Sequence, residues 1–423
     1  MKEDILKSRF LGFFDTFCII LSQNNRRLFG MTSRRIKWLS LILAAVMTLS
    51  FSGCSKGTGD DSSSESSDAS GSEDDKIKEH KIGYIFRESA ETDSFASQLL
   101  EQSIRASNRS GMDICYIENV SLTDFENAVK KLSDAGCTDI VACSPAYANL
   151  VQSVAQKYLD LSFTSFGDLN GGFNISGYAE LPYQGAYVAG FAAEFNSPAK
   201  KIGVVVDPGL YGAVATVNAV ELGAQLNPDG GATVYAAAAE LDGEIENAVD
   251  ALLEKGCDVI VCYTNSKHSA DYCEAKGVKF IGCLDYSDSE SEYSNMLMYF
   301  YCLRDSYFLA QFKAMKMGTW ELSTYLGDIS NGIVQISPVT ESVAKDGTQK
   351  LIDALVPHLT DGSAKVFRGP LKDTAGNVKY LETDTMTDHE VENMSWYVQG
   401  VEVIGNFREP QTNIPPNDLE IKE

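Results

Sequence analysis

The chain has 423 residues, 44% of them hydrophobic and 10% aromatic, which is enough for a substantial core and, by length, for two or three domains. Its 59 acidic residues against 35 basic ones leave a formal charge of −24. Such a balance argues against nucleic acid as a partner, because neutralising phosphates takes clustered Lys and Arg.

The N-terminus speaks first to compartment. Residues 1–30 hold an apolar run, Phe10 to Leu21, that Asp15 interrupts; a start misassigned upstream of Met31 accounts for this segment. From Met31 the sequence reads MTSRRIKWLSLILAAVMTLSFSGCSKG. Arg34, Arg35 and Lys37 form a positive region, and Trp38 to Leu49 form an apolar stretch of signal-peptide length. That stretch is shorter than the roughly 20 residues a membrane span needs. Ser52 and Gly53 then precede Cys54. The arrangement resembles a bacterial lipobox, which makes Cys54 the expected lipidation site and mature N-terminus; Phe51, three positions before the cysteine, departs from the usual leucine. From Ser55 to Lys76 no apolar side chain larger than Ala69 occurs. Such a segment cannot offset its ordering entropy by burial and reads as a disordered tether.

Beyond the tether the chain is duplicated. KIGYIF at Lys81 recurs as KIGVVV at Lys201, and FENAVKKLSDAGC at Phe125 recurs as IENAVDALLEKGC at Ile245. Both pairs are offset by 120 residues, and seven of the thirteen positions in the second pair are identical. Phe125, Val129 and Leu132, like Ile245, Val249 and Leu252, fall at i, i+4, i+7 and predict one buried helical stripe per copy. Gly136 and Gly256 follow, where a left-handed helix end favours glycine. DIVACS and DVIVCYT come next, with the continuous hydrophobicity of strands buried on both faces. Strand and helix alternate in each half, so the fold class is α/β: two lobes, each a mostly parallel sheet flanked by helices. Two such lobes leave a cleft at the carboxyl ends of their strands.

Neither first strand leads into a phosphate loop. DPGLYGAV after the second has its glycines at the wrong spacing, and RESAETDSF after the first has none. The ten cysteines include no CxxC pair and read as buried small hydrophobes rather than as metal ligands. With four histidines and no nucleophile–base arrangement, no catalytic residue, metal site or cofactor is expected.

The C-terminal half carries a resemblance. MGTWELSTYLGDISNGIVQIS (317–337), VFRGPLKDTAGNVKY (366–380) and MSWYVQGV (394–401) follow in order after AYVAGFAAE (186–194) and NAVELGAQLNPDG (218–230). Together they resemble the basic membrane protein family, extracytoplasmic solute-binding lipoproteins of ABC transporters with the type 1 periplasmic-binding-protein fold. The resemblance spans about Lys81 to Val401. It implies a lipid-anchored protein on the outer face of the cell membrane, a purine nucleoside or related base as ligand, an ABC permease as partner and no enzymatic activity. The alternatives are a tethered sensor or surface interaction protein using the same clamshell, or another small ligand such as a sugar or a flavin. The expected organisation is a leader over 1–53, anchor and tether over 54–80, a first lobe over 81–197 and a second over 198–296. Segments returning between both lobes follow over 297–401, then a tail over 402–423.

Candidate ligand residues follow from both sources. Phe95 aligns with the family aromatic that stacks on the base, with Asp93 and Ser94 beside it. Asp93 is either a ligand acceptor or a helix cap; the family's aspartate would fall at Thr92. The duplication places Ser144 and Tyr147, and Thr264 and Asn265, at strand carboxyl ends facing the cleft. The resemblance adds Asp285 for ribose hydroxyls and Tyr301, with its neighbour Tyr299, for the cleft wall; Tyr183 is a further candidate. Where the family often has a second aromatic, before Asp242, this chain has Glu240 and Leu241. Either another ring such as Tyr211 or Tyr301 takes over, or the ligand is not a plain purine.

Overall fold

A computed structural model describes residues 79–227, 231–240, 242–405 and 419–423. Cys54, the leader and all of the tether before Glu79 lie outside these residues.

Lys81 and Lys201 open strands of two different sheets. The first sheet holds β1 (Lys81–Ile85), β2 (Asp113–Ile117), β3 (Asp139–Ala142), β4 (Ser162–Phe166) and β5 (Ile175–Glu180). The second holds β6 (Lys201–Val206), β7 (Thr233–Ala238), β8 (Val259–Tyr263), β9 (Lys279–Gly282) and β10 (Met296–Cys302). Three late strands complete them: β11 (Tyr325–Gly327) joins the first, while β12 (Val334–Ile336) and β15 (Val401–Ile404) join the second. The orders are β11-β5-β4-β3-β1-β2 and β12-β10-β9-β8-β6-β7-β15. Within these two sheets every pairing is parallel except β10 with β12, and β13 (Leu371–Lys372) and β14 (Val378–Tyr380) form a separate antiparallel pair.

Each sheet is buried on both faces, as the unbroken apolar runs require. Along β6, Ile202, Val204 and Val206 point into one core while Val205 points into the other. In lobe 1, Ile82, Tyr84 and Phe86 face helices Ser94–Ser110 and Asp305–Lys316, and Ile85 faces helix Phe125–Asp134. The period of two along each strand thus divides every lobe into two cores.

The duplication survives in atomic detail. A Cβ on Gly83 would meet Leu132 Cδ1 at 2.9 Å, and one on Gly203 would meet the repeat counterpart, Leu252 Cδ1, at 3.0 Å. In both copies a glycine lets the crossing helix lie close on the first strand. The helix-ending glycines Gly136 and Gly256 take φ of 87° and 84°, the left-handed conformation expected of them.

Lobe boundaries differ from the sequence expectation. The boundary expected at 197 places helix Tyr183–Asn196 in the first lobe, but it packs in lobe 2 against helix Ala213–Ala224. The cause is backbone-close packing: a Cβ on Gly190 would run into the Val220 carbonyl, and one on Gly223 into the Tyr187 carbonyl. The chain therefore crosses first at 180–183. It returns to lobe 1 for helix Asp305–Lys316 and β11, then goes back to lobe 2 at β12. The last residues return to lobe 1, where Tyr116 and Lys422 exchange backbone hydrogen bonds of 2.9 Å. Among the described residues no helix is long and apolar enough to cross a membrane.

Candidate ligand-binding cleft

Between the carboxyl ends of the two sheets lies a cleft of about 520 Å³. Lobe 1 contributes the residues that follow its strands: Phe86 and Arg87 after β1, Ser144 after β3, Gly167 after β4 and Glu180 at the end of β5. Lobe 2 mirrors this with Asp207 after β6, Glu240 after β7, and Tyr263, Thr264 and Asn265 at the end of β8. This is where parallel sheets leave loops free to meet a ligand. The volume suits a ligand of nucleoside or sugar size.

The floor is built where the chain crosses between lobes. Glu180, at the first crossing, accepts two hydrogen bonds from Arg304, at the second: Nε to Oε1 at 2.6 Å and Nη2 to Oε2 at 2.7 Å. Both side chains are buried, and Tyr178 donates a further bond to Glu180 at 2.7 Å. Gln102 accepts from the Arg304 backbone N–H at 2.6 Å and donates to the Cys302 carbonyl at 3.2 Å, fixing the crossing strand. The Arg304 guanidinium in turn lies 5.1 Å from the centre of the Phe95 ring and 5.7 Å from that of Phe166. Phe95 and Phe166 meet edge to face at 5.9 Å, so a cation and a second ring hold Phe95 at the cleft wall.

Charge in the cleft is predominantly negative. Six carboxylates line it (Glu88, Asp93, Glu180, Asp207, Glu240 and Glu244) against two guanidiniums, Arg87 and Arg304. Asp93 caps helix Ser94–Ser110 by accepting from the Ala96 N–H at 2.6 Å, and it also lines the cleft, so the two readings of this residue coexist. Burial raises its pKa to about 6 against the pull of that cap. Burial raises Asp207 further, to about 7; its bond from the Gly209 N–H opposes the shift, while Glu240 and Asp93 add to it.

Among the expected ligand residues, the structure brings Phe95, Asp93, Ser144, Thr264 and Asn265 together on the cleft lining. Ser144 also caps the turn at Pro145–Tyr147, and the Thr264 hydroxyl is engaged by Ser266 and Ser269. Ser94 does not line the space; its N–H donates across the lobes to the Asn265 carbonyl at 2.8 Å. Asp285 likewise lies at the seam, its backbone exchanging two 3.3 Å hydrogen bonds with the Gln98 amide. Three further expectations are corrected. Tyr147 is 0% exposed, stacked on Phe125 and donating to the Val120 carbonyl, because its turn points the ring into the core. Tyr183 packs edge-on against Phe367 inside lobe 2, since its helix belongs there. Tyr301 and Tyr299 lie together against the other lobe-2 core, on a strand face turned from the cleft. Of the two rings considered for the missing aromatic, Tyr211 lines the cleft and Tyr301 does not; Tyr263 stands beside it, donating to the Tyr211 carbonyl at 2.8 Å.

Sequence reasoning missed Glu180, Arg304, Phe166 and the pair Arg87 and Asp207. The last two were within reach. They occupy the same position, 120 residues apart, immediately beyond the two KIG strands.

The comparisons with known proteins agree with this architecture. No protein-family model matches the chain. A purine-binding protein of Brucella abortus is 26% identical over 302 residues, covering 69% of this chain and 83% of that protein. A putative glucose-binding protein of an ABC transporter from Haloferax volcanii is 23% identical over 291 residues, covering 68% of this chain and 71% of its own. A solved solute-binding protein of an ABC transporter from Conexibacter woesei has the same fold, with a TM-score of 0.56 at 19% identity, covering 68% of this chain and 98% of that one. The chain is similar to solute-binding proteins of ABC transporters. The resemblance drawn from its C-terminal half is borne out at that level, as is the fold of two lobes with mostly parallel sheets. Both curated relatives are named as binding proteins, not as enzymes.

Proposed function

We propose that this chain is the solute-binding component of an ABC importer, tethered through Cys54 on the outer face of the cell membrane, and that it carries a purine nucleoside or related base. The observation that carries the reading is the composition of the cleft. Rings from both lobes, Phe95 and Phe166 on one side and Tyr211 and Tyr263 on the other, share it with an excess of carboxylates. A flat base fits between rings, and its exocyclic amine and ribose hydroxyls are donors that carboxylates accept. Asp93 and Asp207 are the acceptors, one from each lobe, and Ser144 and Asn265 supply neutral polar contacts. The more similar of the two curated relatives is named for purine binding, which favours a base over a hexose. A closed clamshell would then dock on a permease, and the lobes would part at the crossings near Glu180 and Arg304.

A thermal-shift series tests this with the purified protein against nucleosides, free bases, riboflavin and sugars. A ligand that binds only the folded state raises the melting temperature by mass action. The expected result is a shift with at least one purine compound and none with glucose. A clear shift with a sugar and none with any purine would overturn the ligand assignment.

A further inference from the structure

The thiols of the two lobes are arranged differently. In lobe 1, Cys115 on β2 and Cys137, just past helix Phe125–Asp134, bring their sulfurs to 3.3 Å across a sequence separation of 22 residues. A disulfide bond is about 2.05 Å long, so the gap to close is about 1.2 Å, within reach of side-chain rotation. The space for both sulfurs comes from Gly83. It pairs with Cys115 in the β1–β2 register, and a Cβ there would lie 3.1 Å from the Cys137 sulfur. The second copy is an internal control. Cys257 repeats Cys137, but the residue paired with Gly203, and hence the counterpart of Cys115, is Tyr235. One half of the duplication thus carries a matched pair over its glycine, and the other carries a single thiol.

We propose that Cys115 and Cys137 are a disulfide-forming pair that closes when the chain meets a small-molecule disulfide while lobe 1 is open. Cys115 is 0% exposed and Cys137 3%, so reagent enters during folding or local opening and the finished bond is sealed afterwards. The thiolate of Cys115 attacks one sulfur of the reagent and expels one small thiol. Cys137, losing its proton, then attacks the Cys115 sulfur of the mixed disulfide and expels the second. Two protein thiols are oxidised to one disulfide, and one reagent disulfide is reduced to two thiols. Either sulfur can donate in the hydrogen bond between them, and the exchange balances equally with the two cysteines in the opposite order. Cys262 and Cys273 in lobe 2 stand farther apart, at 3.9 Å.

The test equilibrates the protein with a glutathione couple in urea below its unfolding transition, then alkylates free thiols, digests and maps linked peptides. A Cys115–Cys137 link is expected to dominate, with Cys257 recovered alkylated. The oxidised protein should melt several degrees higher, as closing a loop of this size restrains the unfolded chain. Cys115→Ser should remove that gain and leave Cys137 alkylated. Recovery of both Cys115 and Cys137 as free thiols, or a Cys262–Cys273 link in their place, would overturn the proposal, as would an unchanged oxidant-dependent gain in Cys115→Ser.

Discussion

The two lobes keep one frame and differ at its rim. Glycine on the first strand, leucine on the helix above it and a left-handed glycine after that helix recur at Gly83, Leu132 and Gly136, and at Gly203, Leu252 and Gly256. Where the strands end, the copies part: Arg87 in lobe 1 is Asp207 in lobe 2, and Cys143 is Tyr263. Packing forbids change at Gly83 and Gly203, where a methyl group would meet a neighbouring side chain at 2.9 Å and 2.5 Å, and at Gly136 and Gly256 the left-handed backbone does so instead. At the rim no such restraint acts, and divergence makes one cleft with unlike walls. Frame substitutions should therefore cost stability, and rim substitutions should change binding.

The largest effect is expected where frame and rim meet. Arg304→Ala leaves the buried Glu180 carboxylate unpaired and should destabilise the protein by about 3–5 kcal/mol in urea unfolding. Replacing both partners with neutral residues of similar size should recover most of that loss; equal losses from the single and double changes would show that the pair itself is not the cause. Next come the paired glycines. Gly203→Ala drives a methyl against Ile260 Cδ1 at 2.5 Å as well as Leu252, and should cost about 3 kcal/mol. Gly83→Ala meets only side-chain ends, from 2.9 Å outwards, and should cost about 1 kcal/mol. Matching losses would mean that the copies are packed alike after all.

Rim substitutions follow. Phe95→Ala should weaken nucleoside binding by about 1–3 kcal/mol in calorimetric titration, while Tyr301→Ala, off the cleft, should leave affinity unchanged. The smallest effect concerns pH. A carboxyl whose folded pKa lies above its unfolded value stabilises the fold fully below the unfolded pKa, and that contribution is lost as pH rises through the folded one. For Asp207 the window runs from about 4 to about 7. Asp207→Asn should accordingly raise the melting temperature of the unliganded protein at pH 8 and not at pH 4. About 1 kcal/mol is expected, because the nearby Asp93 carboxyl, also raised by burial, titrates over the same range and shares the effect. An equal change at both pH values would point to packing instead of charge.

Much of this frame was legible beforehand because it rests on local periodicity. A repeat of 120 residues, helical stripes and unbroken apolar runs each have one inexpensive structural solution. Helix Tyr183–Asn196 was misplaced because it is apolar on nearly every side, and nothing in such a pattern says which lobe it joins. Gly190 and Gly223 decide that only once both helices are present. Rim residues were recovered where they directly follow a recognisable strand, as with Ser144, Thr264 and Asn265. Tyr147 and Tyr301 were misjudged because sequence position fixes a backbone and not the direction of a ring. Glu180 and Arg304, more than a hundred residues apart, find each other only through the crossings.

The most direct measurement is hydrogen–deuterium exchange with and without a purine nucleoside such as inosine. A solute held between the lobes predicts added protection in both walls together, around 86–98 in lobe 1 and around 207–211 and 263–266 in lobe 2. Protection confined to one lobe, or lying on the outer helices, would contradict it.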